Sequence, residues 1–215
     1  MPVDFKKTDK RLYAPGAKPD IVDVPEMAFL MADGRGDPNG SVAYAQAVEA
    51  LYSLSYAIKM GFKQGALPDG WFEYVVPPLE GLWRLDDGGA FLGGGAPVAD
   101  KGLFVWTMMV RQPDFVTPEV VEDARARLAR KKALPAMGAV RLERFAEGLC
   151  AQVMHVGPYD AEPATVAALS RFIRASGHME DFTGARRHHE IDLSDPRKAA
   201  PEAMRTVIRH PVRKV

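Results

Sequence analysis

The sequence predicts an α+β protein made of two tandem βαββ modules related by a pseudo-twofold axis. The order strand–helix–strand–strand can be read twice along the 215 residues. The two copies would cover about residues 20–115 and 138–215, with a bridging helix at about 118–132 and an N-terminal extension at 1–19. Two such modules would pair their sheets and leave a cleft between the sheets and the helices, where a ligand is expected.

A short echo between the two halves supports this reading. The first predicted strand ends in Met31-x-x-Gly34, and the strand that begins the second half ends in Met154-x-x-Gly157. An amphipathic helix follows each of them within a few residues. The copies share little further identity, so the order of elements carries the prediction.

Composition narrows the classes of function. Lys plus Arg equals Asp plus Glu, at 28 each, so the chain has no net charge to attract nucleic acid or an acidic membrane surface. Cys150 is the only cysteine and lies in the apolar run GLCAQVM, which indicates a buried, inert thiol and excludes an internal disulfide. No apolar segment approaches the length of a membrane span or signal peptide, and a cytoplasmic protein is expected, either a monomer or a weak homodimer.

The first module begins after a polar extension that we expect to lie on the surface. Residues 21–36 read as a strand interrupted at Pro25, and Ser41 is a helix N-cap candidate before apolar residues at helical spacing. The helix should stop near Gly61 or Gly65. Two strand-like runs follow, one at 71–85 broken by a Pro77-Pro78 pair and one at 102–112 that is apolar on both faces.

The bridging helix and the second module carry clear boundary signals. Thr117-Pro118-Glu119 combines an N-cap, a proline at the first helical position and an acid in the first turn. Basic residues at the far end of this helix complement its dipole, which favours a structural role over nucleic-acid binding. The second module reads as a strand at 147–160, a helix closing at Gly177, the run HHEIDLS and a final strand in TVIRHPVRK.

Two motifs suggest chemistry that we do not expect. DGGAFLGGGAP superficially resembles a phosphate-binding loop, but no Lys-Ser/Thr pair follows it, so a hairpin or pocket rim is the better interpretation. His188 and His189 are adjacent on a strand and should face opposite sides, so they cannot easily hold one metal ion. No metal and no cofactor is expected.

The run RRHHEIDLSDP poses the main functional question. At period two, His188, Glu190 and Asp192 share one face, which could meet water or line a pocket. The three tryptophans, Trp71, Trp83 and Trp106, all fall in the first half. Each aromatic could simply fill the core, but as a set opposite a carboxylate they would bind flat, hydrophobic, often cationic molecules.

Four motifs together resemble the GyrI-like small-molecule-binding family: WTMMVRQPDFVTPEVV at 106–121, PPLEGLW at 77–83, HVGPYDAEPATV at 155–166 and HHEIDLSDPRKAAPEAM at 188–204. The resemblance runs from about residue 20 to the end and implies tandem βαββ (SHS2) modules. It also implies kinship with the effector domains of multidrug-sensing regulators, whose pocket glutamate contacts cationic ligands. Some members of the family are hydrolases that open the cyclopropane of DNA-alkylating natural products.

The resemblance assigns roles to matching positions. Glu190 matches the pocket glutamate, and Tyr159 and Glu162 match residues that border the cleft, with Glu162 as the second acid of the hydrolases. Trp83 and Trp106 match aromatics of the pocket wall. The chain departs from the family at two positions, where Arg84 and Asp192 replace aromatic residues.

Residue chemistry leaves an alternative open for Glu162. It would be the second residue of a helix capped by Asp160, where an acid complements the helix dipole without any catalytic role. Glu190 is the better candidate for a raised pKa or for holding a water, and the Tyr159 hydroxyl could orient ligand or water. The full set comprises catalytic candidates Glu190, Glu162 and Tyr159, and ligand-binding candidates Trp83, Trp106, Tyr159, Glu190, Tyr44 and Met108.

The expected function therefore has two versions. One is a binder of hydrophobic, planar or cationic xenobiotics, and the other is a hydrolase of strained cyclopropane-bearing genotoxins. The alternative from another class is a multidrug-sensing or regulatory module that acts with a partner protein in trans, because the chain offers no helix-turn-helix reader of its own. A structural protein without a pocket is disfavoured by the clustered tryptophans.

Overall fold

A computed structural model describes residues 1–65, 67–86 and 98–215, so most of the glycine-rich run lies outside the described residues. No helix in this part of the chain combines the length and the apolar character needed to cross a bilayer. The helices are α1 Phe5–Thr8, α2 Lys10–Tyr13, α3 Val42–Met60, α4 Pro118–Ala129 and α5 Glu162–Ala175. The strands are β1 Asp20–Arg35, β2 Leu79–Leu85, β3 Phe104–Gln112, β4 Arg141–Val156, β5 His178–Glu180, β6 His188–Asp192 and β7 Arg205–Lys214.

The sheet confirms the α+β prediction and its duplicated order. Its strands run β4-β1-β3-β2-β6-β7-β5, all neighbours are antiparallel, and β4 also pairs with β7. Six strands therefore close into a ring, and β5 attaches to its side. Equivalent strands of the two halves pair with each other, β1 with β4 and β2 with β6, as an approximate twofold axis requires.

The helix boundaries follow their predicted caps. The Ser41 hydroxyl accepts a hydrogen bond from the Tyr44 amide at 3.1 Å, and the Thr117 hydroxyl accepts one from the Val120 amide at 3.4 Å. α3 ends at Met60 and continues as a 3₁₀ turn to Gly65, whose φ of 81° closes it. α4 ends at Ala129, short of the predicted 132.

Two strand predictions need correction. Pro25 does not interrupt β1, because β3 joins β1 only from Ala28 onward and the missing N–H is tolerated beside a single neighbouring strand. The β1–β4 register continues unchanged across Pro25, with Val24 opposite Gly148 and Glu26 opposite Ala146. Of the predicted strand at 71–85 only Leu79–Leu85 is regular, since the two prolines before it cannot donate to a ladder.

The N-terminal extension was expected on the surface, and this was wrong for its apolar residues. Phe5, Leu12 and Tyr13 are all buried. The Tyr13 hydroxyl donates to Glu80 Oε1 at 2.9 Å, which fastens the extension to β2. The two short helices give these side chains one inward face, so the extension completes the core.

The two modules are joined by two strand pairs, β1–β4 and β2–β6. α3 packs mainly on β1, β3 and α4, whereas α5 packs mainly on β4 and β5. The β2–β6 pair is therefore the junction on which neither helix mainly packs. Gly81 is directly opposite Glu190 there, and Trp83 is opposite His188.

Candidate acid and aromatic site

The first module supplies an aromatic wall beside this junction. Trp83 and Trp106 are register partners on β2 and β3. Tyr44 of α3 stacks on Trp83 with ring centroids 6.3 Å apart and meets Trp106 edge-on at 5.2 Å. Phe104 contacts the other side of Trp83 at 5.8 Å. Tyr44, Trp83 and Trp106 thus come together as the sequence predicted.

Two glycines make room for the indoles. A Cβ atom at Gly81 would lie 2.7 Å from Trp83 Nε1, and one at Gly34 would lie 2.1 Å from the ring of Trp106. Met108 is buried beside Gly81, with its Cε 3.1 Å from that same Cβ position. Because Gly81 is opposite Glu190, the side chains of Glu190 and Trp83 project from the same face of the β2–β6 pair.

Trp71 does not belong to this wall. It packs on Phe62 with ring centroids 5.0 Å apart, beyond the end of α3. A cavity of about 330 Å³ is found there, lined by Trp71, Phe115, Val120 and their neighbours. It is separate from Glu190, so the clustering of all three tryptophans expected from the sequence holds for only two.

The second module supplies three carboxyl groups. Burial raises the pKa of Glu190 to about 7, against the opposing effect of Glu162, and leaves its side chain 12% exposed. Burial, followed by the charges of Glu190 and Asp192, raises the pKa of Glu162 well above its usual range. Burial and the charge of Glu190 raise the pKa of Asp192 to about 7. Burial and the neighbouring carboxyls therefore favour the protonated form of all three groups.

Glu162 is aimed into the site. It is the first residue of α5 but only 3% exposed, and no side chain caps this helix end. Asp160, the expected cap, instead pairs with Lys101 at 3.6 Å. Among the described residues Glu162 Oε1 has no hydrogen-bond partner. A glutamate that only complemented the helix dipole would not need to be buried with an unsatisfied oxygen.

Hydroxyl groups from both modules face the acids. The Tyr159 hydroxyl donates to Asp192 Oδ1 at 3.1 Å, and this bond works against the raised pKa of Asp192. Burial, then the charges of Asp192 and Glu190, raises the pKa of Tyr44, which places its hydroxyl near both carboxyls. Asp192, noticed in the sequence only as a departure from the family, is therefore a full member of the site.

Arg84 does not enter the aromatic wall. Strand alternation directs it to the face opposite Trp83, and its guanidinium donates to the Leu85 carbonyl at 3.2 Å. Among the described residues, no lysine or arginine forms an ion pair with Glu162, Glu190 or Asp192. Within the described residues, the three carboxyls therefore have no lysine or arginine to neutralise them.

The two adjacent histidines serve separate networks. His188 Nε2 lies 3.0 Å from Glu190 Oε1, and burial lowers the pKa of its imidazole to about 3. His189 faces the other way, between Glu147 and Glu80 at 3.0 Å each. Burial would lower the pKa of His189, but these carboxylates outweigh it and raise it to about 9. The alternation of side chains along the strand had predicted that His188 and His189 face opposite sides, but it did not predict which residues they contact.

An acid cluster facing an aromatic wall, set where two modules join, defines a small-molecule-binding domain. The sequence pattern of the GyrI-like small molecule binding domain matches residues 115–213. A hydrolase from Listeria innocua is 45% identical, with a TM-score of 0.87, and the match covers 98% of this chain and 100% of that one. An uncharacterized conserved protein from Listeria innocua is 48% identical, with a TM-score of 0.89 and the same coverage. The chain belongs to the GyrI-like small-molecule-binding family.

More distant similarity is limited to the fold. The C-terminal domain of EcmrR is 12% identical, with a TM-score of 0.53, and the match covers 92% of this chain and 98% of that domain. No curated protein matches the chain.

Proposed function

We propose that this protein hydrolyses hydrophobic electrophiles, and specifically molecules that carry a strained cyclopropane conjugated to a carbonyl. The observation that carries the proposal is the interacting pair of carboxyls, Glu162 and Glu190. Burial raises the pKa of both, and their mutual hydrogen bond raises that of Glu162 while it lowers that of Glu190. Environments that separate the pKa values of two neighbouring acids allow one to act as a base while the other donates a proton. The hydrolase from Listeria innocua, 45% identical over nearly the whole chain, supports the same class of reaction.

The step assigns one role to each carboxyl. Ionised Glu190 takes a proton from water as the water oxygen bonds to the electrophilic ring carbon. The breaking carbon–carbon bond sends its electron pair into the conjugated carbonyl, whose oxygen takes the proton of Glu162. Glu190 then returns its new proton to Glu162, which restores both groups. The net change is addition of one water across the strained bond.

The walls of the cleft select the substrate. Trp83 and Tyr44 offer stacked aromatic surface to a planar molecule. The carboxyls favour a ligand with positive charge or with developing positive character at carbon. The Tyr159 hydroxyl, already held by Asp192, is placed to orient a ligand or the attacking water.

The test compares turnover with binding. Glu190→Gln and Glu162→Gln should each lower the turnover of a cyclopropane-bearing alkylator by about 10²-fold or more, measured as water adduct by mass spectrometry. Affinity for the neutral alkylator, from tryptophan quenching, should change little. Glu49→Gln, a surface change beside Lys132, is the matched control. Unchanged turnover in both site variants would refute the acid pair.

A second candidate is a binder of cationic molecules without turnover. It is favoured by the three carboxyls, which form no ion pair with a lysine or arginine of the described residues. In this case Glu190→Gln should weaken binding of a planar cationic dye about tenfold or more, and no water adduct should form with any substrate. A regulatory version of this binder, acting through a partner in trans, requires that a protein from the native host co-purify in a ligand-dependent way.

A further inference from the structure

A continuous chain of hydrogen bonds leads away from Glu190 along the sheet. His188 Nε2 lies 3.0 Å from Glu190 Oε1, and His188 Nδ1 lies 2.8 Å from His210 Nε2. His210 Nδ1 lies 2.9 Å from Glu180 Oε1. Ser170 of α5 also donates to Glu180 Oε1, at 2.7 Å. The chain therefore crosses from β6 through β7 to β5, beneath α5.

The two ends of this chain meet different surroundings. Both imidazoles are fully buried, and the ring of Phe182 lies 5.0 Å from that of His210. Glu180 has a side chain that is 27% exposed, so it reaches solvent. Glu190 instead faces Glu162 and Asp192, where the proposed function places the ligand. The chain connects Glu190 to the partly exposed Glu180, beside Ser170 of α5.

Counting protons shows what the chain requires. Three links join the four groups, and each link needs one proton. Burial lowers the pKa of both His188 and His210, so each imidazole is neutral and supplies one proton. The third proton must come from an end, and Glu190, whose pKa is about 7, is the end that can hold it.

We propose that His188 and His210 form a proton relay between Glu190 and Glu180, through which Glu190 gains or loses its proton while a ligand covers the cleft. When Glu190 ionises, its proton moves to His188 Nε2, the Nδ1 proton of His188 moves to His210 Nε2, and the Nδ1 proton of His210 moves to Glu180. Glu180 then releases it to water. Each imidazole gains one proton and loses one, and both stay neutral.

The relay deepens the proposed hydrolase but does not depend on turnover. It keeps Glu190 in equilibrium with solvent, so the base can be formed after substrate has bound. The same exchange would let a cationic ligand expel the proton of Glu190. Other ionisable groups face Glu190 and share control of its ionisation: Glu162 from α5, Asp192 from β6, His155 from β4 and Tyr44 from α3.

The relay makes a distinctive spectroscopic prediction. As pH rises through the Glu190 titration, both His188 and His210 should change from the Nδ1–H to the Nε2–H tautomer together, without either becoming a cation. The change follows because buried Glu190⁻ needs a donor more than solvated Glu180 does. Nitrogen-15 NMR of the imidazoles, from about pH 5 to about pH 9, reads this directly. His155 is an internal control, since its Nε2 faces the Pro158 carbonyl at 3.2 Å and must keep its proton.

Two variants distinguish a proton relay from a hydrogen-bond network that has only a structural role. In Glu190→Gln the tautomers should no longer change with pH, because the glutamine has no proton to lose. Fixed tautomers in the wild type, or titration of either ring to a cation, would overturn the relay even if turnover is found. Glu180→Gln, at the solvent end, should keep ligand affinity and lower kcat several-fold with an altered pH profile. An unchanged kcat and pH profile in that variant would also count against the relay, whereas absence of hydrolysis in every form would refute only the proposed function.

Discussion

Replacing Glu190 by glutamine should stabilise the protein at alkaline pH while it destroys turnover. The pKa of Glu190 is about 7 in the folded protein, above the 4.5 of an exposed glutamate. The native state therefore holds this proton more tightly than the unfolded chain does. Its contribution to stability is fully present below about pH 4.5 and is lost as pH rises through about 7. Glutamine, which never ionises, avoids that loss.

The size of this effect on stability follows from the raised pKa of Glu190. Raising the pKa of Glu190 from 4.5 to about 7 lowers the free energy of unfolding by at most about 3 kcal/mol at about pH 8.5. At about pH 5 the same effect is less than about 1 kcal/mol. The neighbouring acids reduce this gain. Without the charge of Glu190, Glu162 and Asp192 ionise more readily and carry part of the cost themselves. We therefore expect the variant to gain between about 1 and about 2 kcal/mol more at the higher pH than at the lower.

Urea unfolding at the two pH values measures this difference. Glu80→Gln is the control, because Glu80 lies in the core, contacts His189 at 3.0 Å and accepts from Tyr13 at 2.9 Å. Removing that partnered charge should destabilise the protein by about 3 kcal/mol at both pH values. A Glu190→Gln variant that is less stable than wild type at the higher pH would show that Glu190 is paired rather than strained, and would refute the reasoning.

Three further outcomes can be checked separately. Gly81→Ala places a Cβ 2.7 Å from Trp83 Nε1. The variant should lose about 1–3 kcal/mol of stability in urea unfolding and show weaker quenching of tryptophan fluorescence by a dye. An alanine tolerated without either effect would contradict this packing. Tyr159→Phe removes the donor to Asp192 and should raise the pKa of that carboxyl above about 7, as read by carbon-13 NMR, and a lowered pKa would oppose this. The pKa of His189 is raised to about 9, so the stability it confers is present below about 6.5 and is lost as pH rises through about 9. His189→Gln should flatten the alkaline fall of Tm, and an equal fall in both proteins would contradict it.

Much of the fold could be predicted because local signals agree with the global arrangement. Ser41 and Thr117 begin their helices as the capping pattern indicated, and the repeated strand–helix–strand–strand order became two modules that pair through β2 and β6. Glu190 was assigned to a pocket because the run HHEI resembles the motif of the GyrI-like family, whereas strand alternation alone left a solvent-facing carboxylate equally open. Its burial beside Trp83 is consistent with that assignment.

Other features depend on contacts between distant parts of the chain. Tyr13 lies in a segment that reads as polar, and only its hydrogen bond to Glu80, 67 positions away, makes it part of the core. The relay joins His188 to His210 across strands and then to Glu180, and no spacing in the sequence brings these three together. Trp71 is an aromatic residue of the kind that lines pockets, but it precedes the regular part of β2 and packs on Phe62 instead.

Ring closure also governs how this protein can meet other proteins. The ring is closed along only part of its length. β3 pairs with β1 from Ala28 onward and β7 pairs with β4 from Cys150 onward, so residues 20–27 of β1 and 141–149 of β4 have a strand neighbour on one side only. Among the strands described, β5 also has an open side, but it spans only His178–Glu180. Where two neighbours are present, the backbone amides and carbonyls are already paired and a second polypeptide cannot add a strand. Sheet extension by a companion protein is therefore restricted to β5 and to the N-terminal halves of β1 and β4.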